Sequence, residues 1–171
     1  MTSRLLVDKI EGKTTANTVQ MPSGSVIQVQ TISRVRTARQ TINSTSFAIV
    51  NDGVGNFELA ITPKFSSSKI LGSVSLSGIA TTSNATSIAF SLYKNGSFLQ
   101  SFDSHFGYNY DEHGDRHHFA PVFVDSPSTT SAVTYAIYAA TVSGGSAYIF
   151  DTHISPPSDP SSTFILQEIA Q

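Results

Sequence analysis

Residues 103–118, DSHFGYNYDEHGDRHH, hold four of the chain's five histidines and mix imidazoles with carboxylates, tyrosines and an arginine. His113 and His117 stand four apart, His117 adjoins His118, and Asp103, His105, Asp111 and Asp115 are near in sequence. Imidazole and carboxylate together suit zinc, nickel or iron, and a symmetric trimer would gather one histidine per chain on its axis. Asp111, Glu112 and Asp115 are of the type that glycoside hydrolysis uses in pairs, yet carboxylates crowded into one loop are ordinarily solvated surface. Tyr108, Tyr110, His113, Arg116 and His117 are side chains that build contact surfaces at low entropic cost, which makes the segment a candidate recognition loop. In that reading Phe106 and Phe119 anchor the loop base in a core while the tyrosines are displayed. A polar loop facing water is the competing reading, and no metal site and no cofactor is assigned.

Other catalytic settings are missing from the sequence. There is no cysteine, so disulfides, thiol nucleophiles and thiolate zinc sites are excluded together. No G-x-S-x-G elbow activates a serine, and neither G-x-x-x-x-G-K-[ST] nor G-x-G-x-x-G occurs to cradle a phosphate. The N-x-[ST] triplets at Asn43, Asn84 and Asn95 are what a chain rich in hydroxyls makes by chance. The expectation is a protein that is not an enzyme. A net charge of −2 argues against nucleic acid as a partner. The opening MTSRLLVDKIEGKTT has a short apolar patch followed at once by charges, so neither a signal peptide nor a membrane span is expected.

The elements that must position these residues are strands. Of 171 residues, only 13% are charged, whereas 27 Ser and 18 Thr together make 45 small hydroxyls. Ser and Thr compete with the helical backbone for hydrogen bonds, and Thr packs well on a pleated surface. Ile70, Gly72, Val74 and Leu76 alternate with Leu71, Ser73, Ser75 and Ser77, the period of a strand with one buried face. Ile88, Phe90 and Leu92 repeat the pattern up to Lys94-Asn95-Gly96-Ser97, where Asn-Gly signals a type I′ hairpin. Val133, Tyr135, Ile137 and Ala139 line another face, and Ser143-Gly144-Gly145-Ser146 turns the chain into 147–151. Shorter candidates cover 26–32, 47–50, 57–62, 119–124 and 163–169. The expected fold is all-β, an antiparallel, jelly-roll-like β-sandwich over residues 25–171 with 103–118 inserted as a loop. Residues 1–24 fall outside the hairpin rhythm and form an extended arm, and the prolines of 155–162 make that stretch a loop.

Several strings carry a family resemblance: Thr41-Ile42-Asn43-Ser44-Thr45-Ser46-Phe47, Leu59-Ala60-Ile61-Thr62-Pro63-Lys64 and Ser66-Ser67-Ser68-Lys69-Ile70-Leu71. They continue in Phe90-Ser91-Leu92-Tyr93-Lys94-Asn95-Gly96, Val124-Asp125-Ser126-Pro127, the strand from Thr134, and Leu166-Gln167-Glu168-Ile169. Val7-Asp8-Lys9-Ile10 with Gly12-Lys13-Thr14-Thr15 precedes them. The set resembles a β-rich virion surface module of tailed, cyanophage-like bacteriophages, found in tail-fibre tips and in head-fibre or capsid decoration proteins. The resemblance implies a homotrimeric decoration or cement protein on the virion surface, assembled in the host cytoplasm and partnered by itself and by the major capsid protein. Its alternative is a short tail-fibre or receptor-binding tip, joined to a tail component and recognising a host surface glycan or protein. In either case Leu5, Leu6, Val7 and Ile10 are expected to anchor the arm, each contributing about 1.5–3 kcal/mol if fully buried.

Overall fold

The computed structural model describes residues 21–35, 38–81, 86–109, 116–143, 145–151 and 161–171. Among them are twelve strands and no helix. The strands are β1 (Val26–Val35), β2 (Gln40–Ile42), β3 (Ala48–Ile49), β4 (Glu58–Ile61), β5 (Lys69–Thr81) and β6 (Thr86–Lys94). There follow β7 (Ser97–Asn109), β8 (Arg116–Phe119), β9 (Val122–Asp125), β10 (Val133–Thr141), β11 (Ala147–Ile149) and β12 (Ser161–Ile169). Every ladder is antiparallel. One sheet runs β1-β12-β5-β11-β2, with β8 and β9 also paired to β5. The other runs β3-β10-β6-β7, with β4 also paired to β10. This is the expected all-β sandwich.

The alternating residues face inward as their period requires. Ile70, Val74 and Leu76 of β5 meet Ile88, Phe90 and Leu92 of β6 and Val133, Tyr135, Ile137 and Ala139 of β10 in one core, all essentially inaccessible. Aromatic rings fill the space between the sheets. Phe90 stacks on Phe119 at 4.3 Å, Phe57 stacks on Phe164 at 6.0 Å, and Phe123 lies 5.3 Å from Tyr135. Gly72 makes the seat for Phe123, since a Cβ there would come within 2.1 Å of that ring. Tyr135 donates to Asp125 at 2.7 Å, and Lys94 pairs with the same oxygen at 2.9 Å. Burial first, then the neighbouring Asp125 carboxylate, pushes the Tyr135 phenol well above its usual range, so it keeps its proton and donates it to Asp125. The hairpin signal is met: Asn95 and Gly96 both have positive φ, 50° and 77°.

Strand β5 has more neighbours than any other. Before Gly78 it pairs with β12 and β9; beyond Leu76 it pairs with β8 and, at Ala80 and Thr81, with β11. Gly78 adopts φ +67, and the register shifts between Leu76 and Ile79. The bulge moves the inward position by one residue, so Ile79 rather than Gly78 is fully buried. The Gly78 carbonyl accepts from Asp151 N at 2.7 Å, and a Cβ at Gly78 would stand 2.3 Å from the Asp151 carbonyl oxygen.

Residues 103–118 are not one loop, a correction to the expectation. Strand β7 runs on to Asn109, and β8 begins at Arg116. The core-directed residues of β7 are Leu99, Phe102 and Phe106, spaced three and four apart, because repeated register shifts interrupt its pairing with β6. Bulges thus replace the period of two, and the strand is disguised in the sequence.

A buried carboxylate links β12 to β1 and to residues 64–68. Glu168 is fully inaccessible and accepts hydrogen bonds from Gln28 Nε2 (2.6 Å), Lys64 N (2.7 Å), Phe65 N (3.2 Å) and Ser68 Oγ (2.7 Å). Burial alone would raise its pKa, but these four donors outweigh it and hold the carboxyl below its ordinary value of 4.5. Glu168 therefore contributes stability that is complete above the unfolded value and is lost as pH falls through the lower folded value. Glu168→Gln is expected to cost on the order of 2 kcal/mol at neutral pH and to flatten the acid limb of the stability–pH curve, measured by urea unfolding between roughly pH 2 and 7. Gly78→Ala is expected to cost about 3 kcal/mol, from left-handed strain plus the backbone clash. Gly96→Ala, with open space around it, is expected to cost only about 1 kcal/mol. Equal losses at the two glycines would show that the Asp151 contact is unimportant.

Candidate functional site

The residues singled out in 103–118 are distributed over both sheets. His105 is exposed on β7, its Nδ1 3.0 Å from Ser104 Oγ and its backbone N–H capped by Asp103 Oδ1 at 2.9 Å. His117 on β8 is half-buried and edge-on to Phe106 at 5.7 Å, in the gap between the sheets. His118, next along β8, points the other way and meets Ser75 Oγ at 3.2 Å on an exposed face. Phe106 and Phe119 pack edge to face at 5.1 Å, Phe119 in the core and Phe106 against it. Among the described residues no group of three His, Asp or Glu is placed to hold a metal ion. Tyr108 and Arg116 lie on β7 and β8, their side chains outside the description. Tyr110 and His113 lie outside the described residues, as do the arm positions Leu5, Leu6, Val7 and Ile10.

What the structure assembles instead is a groove on the outer face of the β3-β10-β6-β7 sheet. Its volume is about 390 Å³. Small residues make the floor: Ala89 and Ser91 of β6, flanked by Ala140 of β10. Phe47, Phe98, Ser101, Ser104 and His105 form its walls. Outward positions alternate with the core positions Ile88, Phe90 and Leu92, so the same strand that builds the core builds the groove. Among the described residues no Lys, Arg, Asp or Glu lines it.

Aromatic rings border one end. Tyr93 stacks on Tyr138 at 3.8 Å and 19°, stands perpendicular to Phe98 at 5.9 Å, and lies 6.5 Å from Phe47. Phe98 is 60% exposed and Phe47 37%, unusual exposure for large apolar rings. At the floor, Ser91 Oγ is buried and has no hydrogen-bond partner among the described residues. Buried hydroxyls are normally bonded, so an unpaired one lining the groove marks it as a site for polar as well as apolar contact. Sequence reasoning missed the groove, because Phe47, Ser91, Phe98 and Thr141 are brought together only by cross-strand pairing. The signal available was Phe98 beside the hairpin, at an outward position where a polar residue is the norm.

The opposite outer face is different in kind. Register places Val124, Leu71, Gln167 and Val29 in one row across four strands, and Val122, Ser73, Ile165 and Thr31 in the next. Val29, Val122 and Val124 are 51–62% exposed, and none of the eight residues is charged. Strand β1 ends this sheet, with ten residues, one charge (Arg34) and no strand among the described residues on its outer side.

No protein-family model matches the chain, and no curated protein matches it. Among solved structures it is similar to dimeric latent PorU from Porphyromonas gingivalis, with 14% identity and a TM-score of 0.48 over 88% of this chain and 14% of that one. It is also similar to VP2 of infectious bursal disease virus in a subviral particle, with 14% identity and a TM-score of 0.44 over 84% of this chain and 37% of that one. T=1 particles derived from the same virus give 12% identity and a TM-score of 0.43, over 97% of this chain and 41% of that one. The chain spans well under half the length of each.

The unpaired floor hydroxyl makes a stability prediction. Ser91→Ala removes a buried oxygen that has no partner, so thermal unfolding is expected to show a gain of about 1 kcal/mol. A loss of similar size would mean that the hydroxyl is bonded in solution.

Proposed function

We propose that this chain is a non-enzymatic virion structural protein, a homotrimeric capsid decoration or cement protein of a tailed phage. It is carried on the virion surface, assembled in the host cytoplasm, and attached to the major capsid protein through the arm that holds Leu5, Leu6, Val7 and Ile10. The observation that carries the reading is the pair of uncharged, valine-bearing rows on the outer face of the seven-stranded sheet, which reach β1, an edge strand among the described residues. Natural proteins ordinarily blunt a long edge strand with charge, proline or a bulge; β1 has a single arginine near its end and a register shift between Val26 and Gln28, and from Gln28 to Val35 it is regularly paired on one side with no described strand on the other. Assembly of like copies around a closed axis covers such an edge and such a face without running on into fibres. Neither nucleic acid nor a membrane is a partner in this reading.

The alternative is a short tail-fibre or receptor-binding tip joined to a tail component. The groove on the opposite sheet favours it, because exposed aromatic rings beside hydroxyls suit recognition of a host surface molecule.

Quantitative mass spectrometry of purified particles is expected to give a copy number commensurate with the capsid lattice. A handful of copies per particle would transfer the protein to the tail, and its absence would overturn both readings. Light scattering of the isolated protein is expected to return the mass of three chains. Lysines introduced together at Val29 and Val122 are expected to reduce it to one chain with little change in melting temperature, since both positions are exposed. A monomer before the substitution would remove the role assigned to this face.

A further inference from the structure

We infer that the groove on the outer face of the β3-β10-β6-β7 sheet is a binding site for an uncharged saccharide. The inference does not depend on the assembly reading, which uses the other sheet. Three observations select this ligand chemistry.

The first is the ring arrangement. Phe98, 60% exposed, is held perpendicular to Tyr93, which is itself fixed by its stack on Tyr138 at 3.8 Å. A rigid, exposed ring beside a groove offers its face to the C–H side of a pyranose at little entropic cost. The second is the hydroxyl array. Ser101 and Ser104 line the wall, while Ser91 Oγ lies at the floor without a partner among the described residues. A sugar presents hydroxyls that both donate and accept, which matches hydroxyl-bearing walls and would satisfy the floor. The third is charge. Among the described residues that line the groove His105 is the one titratable side chain and none is a lysine or arginine, so the walls offer no lysine or arginine that would favour a sulfated, phosphorylated or carboxylated glycan over a neutral one. An apolar peptide would cover the rings but leave Ser91 unsatisfied. The volume, about 390 Å³, is in the range of small-molecule sites and suits one or two sugar rings of a longer chain.

The test uses the full chain and isothermal titration with neutral oligosaccharides of glucose, galactose, mannose and N-acetylglucosamine, with heparin fragments as the acidic arm. At least one neutral series is expected to bind saturably. Phe98→Ala is expected to weaken that binding about tenfold, and, since the ring is exposed, to leave the melting temperature in place. Ser91→Ala is expected to weaken it about fivefold while the protein gains stability, a combination that a purely structural serine would not give. Ala89→Leu, which fills the floor, is expected to abolish binding, and Val124→Ser on the opposite sheet to leave it unchanged. Absence of saturable binding by every neutral series at about 10 mM sugar would overturn the inference, since weaker contacts fall outside even millimolar recognition. Binding that survives Phe98→Ala and Ala89→Leu together, or that is confined to heparin, would overturn it equally. Any of these failures leaves the light-scattering result untouched.

Discussion

Strand β5 serves four neighbours, and Gly78 is what allows it. Up to that point the strand is held between β12 and β9, and beyond it between β11 and β8. A regular strand of thirteen residues would carry one register throughout and turn either Gly78 or Ile79 to the wrong side. The left-handed backbone at Gly78 absorbs one extra residue, brings Ile79 into the core and lets Asp151 N approach its carbonyl. The course of β8, and with it the placement of His117 between the sheets and His118 outside them, depends on this kink.

The two sheets share one core but expose unlike outer faces. Phe90, Phe119, Phe123 and Phe164 are among the rings that pack into that core. Outside, the difference comes from the size of neighbouring side chains. Across β12, β5 and β9 two outward rows carry Gln167, Leu71 and Val124, then Ile165, Ser73 and Val122, with neither a charge nor an aromatic ring among them. Across β10 and β6, Ala89, Ser91 and Ala140 stand beside Tyr93 and Tyr138, so the surface is stepped and a groove results. Uncharged aliphatic rows suit a protein surface, and a stepped face with rings and hydroxyls suits a smaller ligand. Glu168 ties the assembly together at one end, because a single carboxylate holds β1, β12 and the 64–68 loop. It sits at the N-terminal end of β1, the strand that follows the arm.

The legible parts of the sequence were those with an undisturbed period. In β6 and β10 every core residue lies two from the next, and each was readable without a partner strand. The Asn95-Gly96 turn was readable because its backbone demand is local. Strand β7 was not readable. Its inward residues Leu99, Phe102 and Phe106 fall at intervals of three and four, and its polar content directed attention to loop chemistry. The three-residue strands β2 and β11 were at the limit, since so short a segment has no period to show.

The sequence by itself determined the class of the fold and the core-facing residues of its regular strands, because alternation and hydroxyl content are properties of short segments. It also determined that the surface would be poor in charge. The tertiary structure alone decided where chemistry gathers. The histidines of 103–118 are neighbours in the chain, yet pleating and the membership of β7 and β8 in different sheets send His105, His117 and His118 to three separate environments. Phe47, Ser91, Phe98 and Thr141, distant in the chain, line one groove because cross-strand register, unlike strand propensity, is set by contacts between segments.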